Sequence, residues 1–319
     1  MKLLVTGGAG FIGSHFVDYI NQIHPDWQVY VLDLLTYAGS LDNLKYANCK
    51  IIEGDIRSRL DVAKVLQEGM DLVVNFAAET HVDNSLKNSG PFLTTNILGV
   101  YNLLEGCLEH KVQRFLQVST DEVYGDIYGL GPGQSLETDR LSPGNPYAST
   151  KAAAEMAVMA YHKTYGLDAV ITRGSNTYGP RQFPEKVIPL FIMNALTNKD
   201  LPIYGDGSAK RQYLYVEDHC DFIEMVLLSG AAGEAYNVGG SGLYNTLEIA
   251  TEILAKIPSS TSKIVHVEDR KGHDMLYNIS NTKLYDLKPT PESSNRVYDY
   301  EDYMDKTIKY YEEKVNAGL

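Results

Sequence analysis

Short apolar runs alternate with longer amphipathic segments through the first half of the chain. Runs bounded by glycine or polar residues predict buried strands, and apolar positions that repeat every three or four residues predict helices. The predicted strands are residues 2–6, 29–32, 50–56, 71–78, 115–118 and 170–173, and the main predicted helices are residues 11–23, 91–110 and 146–165. Strands that alternate with helices predict an α/β fold with a doubly wound parallel (Rossmann) sheet.

The alternation loosens after residue 175, where a segment rich in glycine and proline leaves the sixth strand. Residues 215–218 are predicted as a strand that enters a helix at about 219–228. Helices are also predicted at 247–257 and about 297–314, with a strand at 264–267 between them. We therefore predict a first domain of residues 1–175, which about 213–237 rejoin, and a smaller α/β C-terminal domain of residues 176–212 and 238–319.

Composition narrows the class of protein. A chain of 319 residues with 44% hydrophobic residues can hold one large α/β unit or a large domain with a smaller one. No apolar run approaches the ~18 residues that a membrane span needs, and the first residues are too short an apolar run for a signal peptide. The three cysteines lie far apart, which predicts neither a metal site nor disulfides and favours the reducing cytoplasm. A net charge of −13 disfavours nucleic acid and anionic membranes as partners.

A glycine-rich turn follows the first strand. Glycines at 7, 10 and 13 form a G-x-x-G-x-x-G pattern that opens the first helix, where a side chain would keep the backbone from approaching a pyrophosphate. Asp33 ends the second strand twenty residues after Gly13, where a carboxylate accepts hydrogen bonds from ribose hydroxyls and repels a 2′-phosphate. This favours NAD over NADP. The predicted cofactor positions are Gly7, Gly10, Phe11, Ile12, Gly13, Asp33, Thr36, Asp55, Ile56, Ala77, Ala78, Tyr147 and Lys151.

Two hydroxyl residues and two carboxylates follow the fifth strand directly, in the order Ser119-Thr120-Asp121-Glu122. Ligands of doubly wound sheets bind at the carboxyl ends of the strands, so this stretch is predicted to line an active site. Tyr147 and Lys151 share one face at the start of the helix predicted at 146–165. We expect the ammonium group to lower the pKa of the Tyr147 phenol from about 10 towards neutrality.

These motifs resemble the extended short-chain dehydrogenase/reductase superfamily, and within it the nucleotide-sugar 4,6-dehydratases, above all those that act on dTDP-glucose. The closer resemblance rests on Thr-Tyr-Ala-Gly at 36–39, Ala-Ala-Glu-Thr-His-Val-Asp at 77–83, Ser-Thr-Asp-Glu-Val-Tyr-Gly at 119–125, Phe-Pro-Glu-Lys-Val-Ile-Pro-Leu at 183–190 and Asp-Arg-Lys-Gly-His-Asp at 269–274. Sugar 4-epimerases share the first half but generally lack the Asp-Glu pair.

The resemblance implies a role for each catalytic position. Tyr147 would take the proton of the sugar 4-hydroxyl while hydride passes from C-4 to NAD. Glu122 would then take the C-5 proton, and Asp121 would protonate the departing 6-hydroxyl. Thr120 would bond the 4-oxygen, and Lys151 would bond the nicotinamide ribose. Since one carboxylate must be neutral and its neighbour ionised, their pKa values are expected to differ.

The resemblance also implies substrate contacts in the second half of the chain. The implied positions are Asn176, Lys186, Pro202, Tyr204, Arg211, Arg270 and His273. Asn176, Arg211 and Arg270 would contact the diphosphate. Pro202 and Tyr204 would flank the base. The long helices at 91–110 and 146–165 resemble those that pair in dimers of this superfamily, so a homodimer is expected.

Several alternatives remain open. Asn84 stands where arginine is commoner in the dTDP-glucose enzymes, and in this respect the chain also resembles UDP-glucose 4,6-dehydratases. Two further departures from the family pattern are Gln212-Tyr213 and Met275-Leu276. A 4-epimerase would not need Asp121 or Glu122, and a protein that binds dinucleotide without turnover would not need Tyr147 or Lys151.

Overall fold

The strands of the described residues lie in one large sheet and two small ones. The structure is a computed structural model that describes residues 1–130, 133–269, 272–287 and 300–318. Its strands are β1 (Lys2–Thr6), β2 (Gln28–Asp33), β3 (Cys49–Glu53), β4 (Leu72–Asn75), β5 (Arg114–Thr120), β6 (Ala169–Gly174), β7 (Asn176–Tyr178), β8 (Leu201–Tyr204), β9 (Lys210–Tyr215), β10 (Ala235–Val238), β11 (Leu243–Asn245) and β12 (Ile264–Val267).

Seven strands form the large sheet in the order β10-β6-β5-β4-β1-β2-β3. Every neighbouring pair is parallel. The order reverses between β1 and β4, so the sheet is doubly wound, and the predicted fold class is confirmed. β10 adds a seventh strand beside β6, although it follows β6 by about sixty residues in the chain. The boundaries between the two domains stay a prediction.

The small sheets lie in the second half of the chain. One has the order β11-β9-β7, and the other pairs β12 with β8 in parallel. The helices of the described residues are α1 (Phe11–Ile23), α2 (Arg59–Leu66), α3 (Val82–Lys87), α4 (Gly90–Phe92), α5 (Val100–Glu109), α6 (Pro146–Tyr165), α7 (Val187–Leu196), α8 (Val216–Ser229), α9 (Thr246–Lys256), α10 (Thr282–Tyr285) and α11 (Tyr300–Asn316). A π-helix, Leu93–Gly99, joins α4 to α5, and 3₁₀ helices span Leu41–Leu44 and Asp121–Tyr124.

Alternate residues of the central strands pack on opposite faces of the large sheet. Leu3 and Val5 of β1 belong to a buried cluster with α1 and α8, whereas Leu4 belongs to a second cluster with α2, α5 and α6. The strand period of two explains this division, because successive side chains point to opposite faces. A third cluster, formed largely by α7, α9, α11 and β8, is the core of the smaller part. The carboxyl edge of the large sheet is therefore held rigidly from both faces.

Some predicted boundaries are wrong. Residues 216–218 are not a strand, because β9 ends at Tyr215 and α8 begins at the next residue. Glu217 and Asp218 lie in the first helical turn, where carboxylates interact favourably with the helix dipole. The helix predicted at 91–110 is interrupted by the π-helix, in which Asn96 bonds the backbone of Glu79. Part of the predicted tail helix, residues 297–299, lies outside the described residues.

Candidate active site

A cavity of about 400 Å³ opens at the carboxyl ends of the parallel strands. Segments that follow β1 to β6 line it, so residues far apart in the chain meet there. All the cofactor and catalytic positions predicted from the sequence line this cavity: Gly7, Gly10, Phe11, Ile12, Gly13, Asp33, Thr36, Asp55, Ile56, Ala77, Ala78, Thr120, Asp121, Glu122, Tyr147 and Lys151.

The glycine-rich turn has a shape that only small residues permit. Gly7 has φ +69°, and a Cβ on Gly13 would lie 2.3 Å from the Gly7 carbonyl oxygen. α1 begins after Gly10 with no side-chain cap and no acidic residue in its first turn. The first backbone N–H groups of α1 are thus available to an anion, which fits the pyrophosphate of NAD.

Asp33 holds the adjacent loops together at the edge of this cavity. Its Oδ2 accepts a hydrogen bond from the Ala9 N–H at 2.9 Å, and its Oδ1 accepts one from the Leu35 N–H at 2.8 Å. A carboxylate oxygen has two lone pairs, so each atom can accept a further bond from a ribose hydroxyl. The arrangement fits the predicted role of Asp33.

Tyr147 and Lys151 lie buried on the first turns of α6. Tyr147 lies close to the Thr120 side chain, and burial, with Glu122 and Asp121 nearby, raises the pKa of Tyr147 above its usual range. Lys151 Nζ donates to the Val118 carbonyl at 2.7 Å, and burial lowers the pKa of Lys151 to about 8.

The prediction that Lys151 lowers the pKa of Tyr147 is wrong for this structure. The ammonium group is bonded to the Val118 carbonyl of β5, and the phenol is buried beside two carboxylates. Desolvation and like charge both disfavour a phenolate. A further positive charge is needed before Tyr147 can act as a base near neutral pH.

The two adjacent carboxylates have different surroundings. Asp121 is 2% exposed, and its Oδ2 has no hydrogen-bond partner among the described residues. Burial and the neighbouring Glu122 raise the pKa of Asp121 to about 7, against a smaller opposing effect of Arg211. Glu122 is less buried, and its Oε2 accepts a hydrogen bond from Asn145 Nδ2 at 3.1 Å. The structure thus favours a protonated Asp121 beside a less buried carboxyl group that accepts a hydrogen bond.

The predicted substrate residues do not all meet at this cavity. Asn176 and Lys186 line it, and Lys186 Nζ donates to the Thr80 carbonyl at 3.1 Å. Tyr204 and His273 lie next to each other, with ring centroids 6.4 Å apart. Pro202 lies in β8, and Arg270 lies outside the described residues. The substrate roles of these residues stay predictions.

Arg211 lies behind the carboxylate pair, where it is 7% exposed. Its guanidinium group stacks over the Tyr277 ring at 4.3 Å and donates to the carbonyls of Lys210 and Asp274. Arg211 acts electrostatically on Asp121, whose pKa it lowers. The positive charge of Arg211 therefore acts on Asp121, and its contact with a diphosphate stays a prediction.

Sequence reasoning missed several polar residues of the site. Thr177 and His219 line the cavity, and no sequence signal was available for His219, because its helix face is otherwise apolar. Asn145, the partner of Glu122, reads in the sequence only as a helix cap. Ser119, whose stretch was predicted to line an active site, also lines the cavity, and its buried hydroxyl has no hydrogen-bond partner among the described residues.

Other kinds of site find no support within the described ranges. No group of His, Cys, Asp or Glu side chains there is arranged to hold a metal ion. No helix there is long and apolar enough to cross a membrane. The described cysteines, Cys49, Cys107 and Cys220, are free thiols.

A doubly wound sheet whose carboxyl edge brings a glycine-rich turn to a Tyr-x-x-x-Lys pair is the framework of an NAD-dependent enzyme of the short-chain dehydrogenase/reductase class. The chain belongs to the NAD dependent epimerase/dehydratase family, whose model matches residues 3–239. The resemblance seen in the motifs and the choice of NAD are confirmed at this level.

Relatives extend over almost the whole chain. The low-salt glycan biosynthesis protein Agl12 of Haloferax volcanii is 46% identical, with 98% of each chain covered. A dTDP-glucose 4,6-dehydratase of Actinoplanes sp. is 44% identical, again with 98% of each chain covered. A trifunctional UDP-glucose 4,6-dehydratase/epimerase/reductase of Arabidopsis thaliana, RHM2, is 43% identical over 97% of this chain and 47% of the plant protein.

A solved structure agrees with this assignment. The crystal structure of DesIV, a dTDP-glucose 4,6-dehydratase of Streptomyces venezuelae, contains bound NAD. It superposes with a TM-score of 0.91 and is 41% identical, covering 99% of this chain and 98% of that one. The protein is therefore an NAD-dependent enzyme, as predicted.

Proposed function

We propose that this NAD-dependent sugar 4,6-dehydratase, a hydro-lyase, acts on dTDP-glucose and releases dTDP-4-keto-6-deoxyglucose and water. The reaction comprises oxidation at C-4, elimination across C-5 and C-6, and return of hydride to C-6. The names of the Actinoplanes and Streptomyces relatives support this substrate. The dehydratase relatives share nucleotide sugars as their substrate class. That the nucleotide is dTDP is the specific part of this proposal.

The observation that carries the proposal is the unequal environment of Asp121 and Glu122. Elimination of water needs an acid at the leaving oxygen and a base at the C-5 proton. Asp121, with its pKa raised to about 7, retains a proton that it can donate to the 6-oxygen. Glu122, which is less buried and accepts a hydrogen bond from an amide donor, is assigned to accept the C-5 proton. A plain oxidation or epimerisation at C-4 needs neither group.

Tyr147 and Thr120 are assigned to the 4-oxygen of the sugar. Both residues line the cavity, so a sugar hydroxyl placed between their hydroxyl groups would meet a donor and an acceptor. Bound NAD supplies the hydride acceptor for C-4 and a positively charged ring, which favours the ionised form of Tyr147. Lys151 is held by the Val118 carbonyl, in reach of the cavity that it lines, and is assigned to the cofactor ribose.

UDP-glucose is the second candidate substrate. It is favoured by Asn84 and by the plant relative, which is named as a UDP-glucose 4,6-dehydratase. However, Asn84 lies exposed on α3, where its backbone N–H donates to His81 Nδ1. It does not line the cavity, which weakens it as a discriminator between nucleotides.

The proposal is tested by giving the purified protein dTDP-, UDP- and CDP-glucose and following the alkaline absorbance of a 4-keto-6-deoxy sugar. We expect kcat/KM for dTDP-glucose to exceed that for the other two by at least about 10-fold, as a site with specific base contacts discriminates. A higher value with UDP-glucose would establish the second candidate. No product from any of them would rule out the dehydratase function, and a galactose-configured product would make it an epimerase.

The role of Glu122 is tested with the Glu122→Gln variant on the same substrates, and Glu53→Gln is the matched control. It should bind the sugar nucleotide but form product at least about 100-fold more slowly, which is the usual loss when a general base is removed. Glu53→Gln on the edge strand β3 should keep the wild-type rate. Wild-type turnover by Glu122→Gln would remove Glu122 from its assigned role.

We also propose that the protein is a cytoplasmic homodimer. Large apolar side chains are partly exposed on the neighbouring helices α5 and α6 and the π-helix before them: Leu93, Leu98, Tyr101, Met156 and Tyr165. A surface of this kind is typical of a subunit interface. Sedimentation of the protein should give twice the chain mass of 35.4 kDa, and charged substitutions at Leu98 and Met156 should give monomers.

A further inference from the structure

His219 is a buried histidine of α8 whose ring packs against the last residue of β6. It takes no part in the reaction proposed above. It is in the first turn of α8, is 2% exposed and lines the cavity. Its ring packs against Gly174, where an added Cβ would lie 2.7 Å from the ring carbon Cε1 and 2.9 Å from Nε2. Gly174 is the strand partner of Thr120 in β5. The ring therefore lies at the same end of the cavity as the catalytic side chains.

The hydrogen bonds of Thr177 decide which ring nitrogen carries the proton. The Thr177 hydroxyl is 2.8 Å from His219 Nδ1 and donates its single proton to the Ser175 carbonyl at 3.2 Å. With its proton on that carbonyl, Thr177 Oγ1 accepts from the ring, and we assign the ring proton to Nδ1. Burial lowers the pKa of His219 to about 4, and the ring is accordingly neutral. Its Nε2 is left as a hydrogen-bond acceptor.

That acceptor is buried and has no partner among the described residues. An unmade hydrogen bond of a buried polar atom is costly, and native proteins rarely leave one without a purpose. A pyrophosphate cannot be its partner, because phosphate oxygens only accept hydrogen bonds. The partner must be an N–H or O–H donor that enters the cavity at the ends of β5 and β6.

We propose that His219 Nε2 accepts a hydrogen bond from the carboxamide NH₂ of the nicotinamide of NAD. Of the donors on NAD, the adenine amino group lies at the other end of the cofactor, where Asp55 and Ile56 are predicted to contact it, and the nicotinamide ribose hydroxyls are assigned to Lys151. The carboxamide is the donor that remains at the catalytic end. His219 is thus a cofactor-orienting residue, since a held carboxamide fixes the rotation of the nicotinamide ring.

This inference rests on the NAD dependence of the family and is independent of which nucleotide sugar is the substrate. It is tested on the cofactor-loaded protein by the rate at which bound cofactor is released into an excess of labelled NAD. The probe is an NAD analogue in which an acetyl group replaces the carboxamide. It keeps the carbonyl oxygen but lacks the NH₂ group.

We expect the wild-type protein to release the acetyl analogue about 10-fold faster than NAD, the effect of leaving one buried acceptor unpaired. The His219→Leu variant should release both cofactors at one rate, close to that of the analogue from the wild type. If the His219→Leu variant still releases the acetyl analogue about 10-fold faster than NAD, the effects of the analogue and the substitution are independent. His219 and the carboxamide are then not partners, and the proposal is wrong.

Two further variants keep the test decisive if His219→Leu does not fold. His219→Gln retains an acceptor and should restore part of the preference for NAD. Thr177→Val removes the acceptor that orients the ring and should weaken that preference. His162, which is bonded through Nδ1 to the Leu167 carbonyl and does not line the cavity, is the matched control, and His162→Gln should leave release unchanged. A change in substrate KM with unchanged cofactor release would assign Nε2 to a sugar hydroxyl and overturn the proposal.

Discussion

Asn145 connects Glu122 to the helix that carries Tyr147. Its Nδ2 donates to Glu122 Oε2 at 3.1 Å, while its Oδ1 accepts the Ala148 N–H at 2.9 Å and so caps α6. One side chain therefore fixes the position of the proposed base relative to the phenol and the lysine. The cap requires a side-chain oxygen, and the bond to Glu122 requires a donor, so an amide suits both.

The two functions of Asn145 can be separated. Asn145→Asp should keep the cap and the melting temperature but place a second carboxylate beside Glu122, which favours the protonated form of Glu122. We expect kcat at neutral pH to fall by about 10-fold or more. Asn145→Ala should lower stability by about 1 kcal/mol because it removes the cap. Equal activity of wild type and Asn145→Asp, measured in a pH series, would contradict the role given to this bond.

The rate of water elimination should fall as the pH rises through about 7. Burial and Glu122 raise the pKa of Asp121 to about 7, so the acid form that donates the proton is lost above that pH. Single-turnover rates measured across the pH range should show this descending limb. Arg211→Gln removes a positive charge that lowers the pKa of Asp121, and should move the limb to higher pH. Arg211→Lys, which keeps the charge, should shift it less.

The same group should lower the stability of the wild-type protein at neutral and higher pH. Its pKa is about 7 in the folded state, against about 3.9 in unfolded chains. The folded state thus binds more protons between these values, and stability is lost as the pH rises from about 4 to 7. Asp121→Asn removes this effect and should stabilise the protein at pH 8 by on the order of 2 kcal/mol. Chemical unfolding at pH 8 and pH 5 checks this, because the gain should shrink at the lower pH.

Gly13→Ala should deplete the protein of cofactor. The added Cβ would meet the Gly7 carbonyl oxygen at 2.3 Å and the Gly8 Cα at 2.9 Å, so the glycine-rich turn would have to shift. We expect the NAD content of the purified variant to fall several-fold, as measured by extraction and enzymatic assay. Gly133→Ala is a matched control, since nothing lies within 4 Å of its added Cβ. Full NAD content in Gly13→Ala would show that the turn adapts without loss of binding.

Breaking the buried ion pair behind the active site should be strongly destabilising. Arg173 Nη2 lies 2.8 Å from Glu155 Oε2 on α6, and Arg173 Nη1 donates to the Tyr124 hydroxyl at 2.7 Å. Arg173→Met would leave the fully buried Glu155 without its partner, at a cost of about 3–5 kcal/mol. Urea unfolding measures the loss. The double variant Arg173→Met/Glu155→Leu should recover most of it, and equal instability of both variants would argue against the ion pair as the cause.

Much of the architecture follows from local pattern. The predicted helices at 11–23 and 146–165 coincide with α1 and α6, because their apolar spacing and their start signals lie within the segments themselves. The glycine spacing, Asp33 and the pair Tyr147 and Lys151 are also readable, since each depends on neighbours a fixed number of residues away. The chain order of strands and helices was sufficient to predict a parallel sheet with its ligand site at the carboxyl edge.

Other features depend on contacts between distant segments. β10 joins β6 only because α8 packs against the sheet, and His219 reaches the cavity for the same reason. The boundary at Tyr215 was missed because Tyr215 and Val216 suit a strand by residue type, whereas Glu217 and Asp218 suit the first turn of a helix.

The amino-acid sequence by itself determined which chemical groups the protein places at the end of β5: a hydroxyl, two carboxylates and, further along the chain, a phenol with its lysine. The tertiary structure decided how these groups differ. The pKa of Asp121 is raised because the fold excludes water around it. Glu122 is less enclosed and accepts a hydrogen bond from Asn145. Lys151 donates to the Val118 carbonyl. Proton affinity depends on burial and on partners brought in from other segments, and local sequence carries neither.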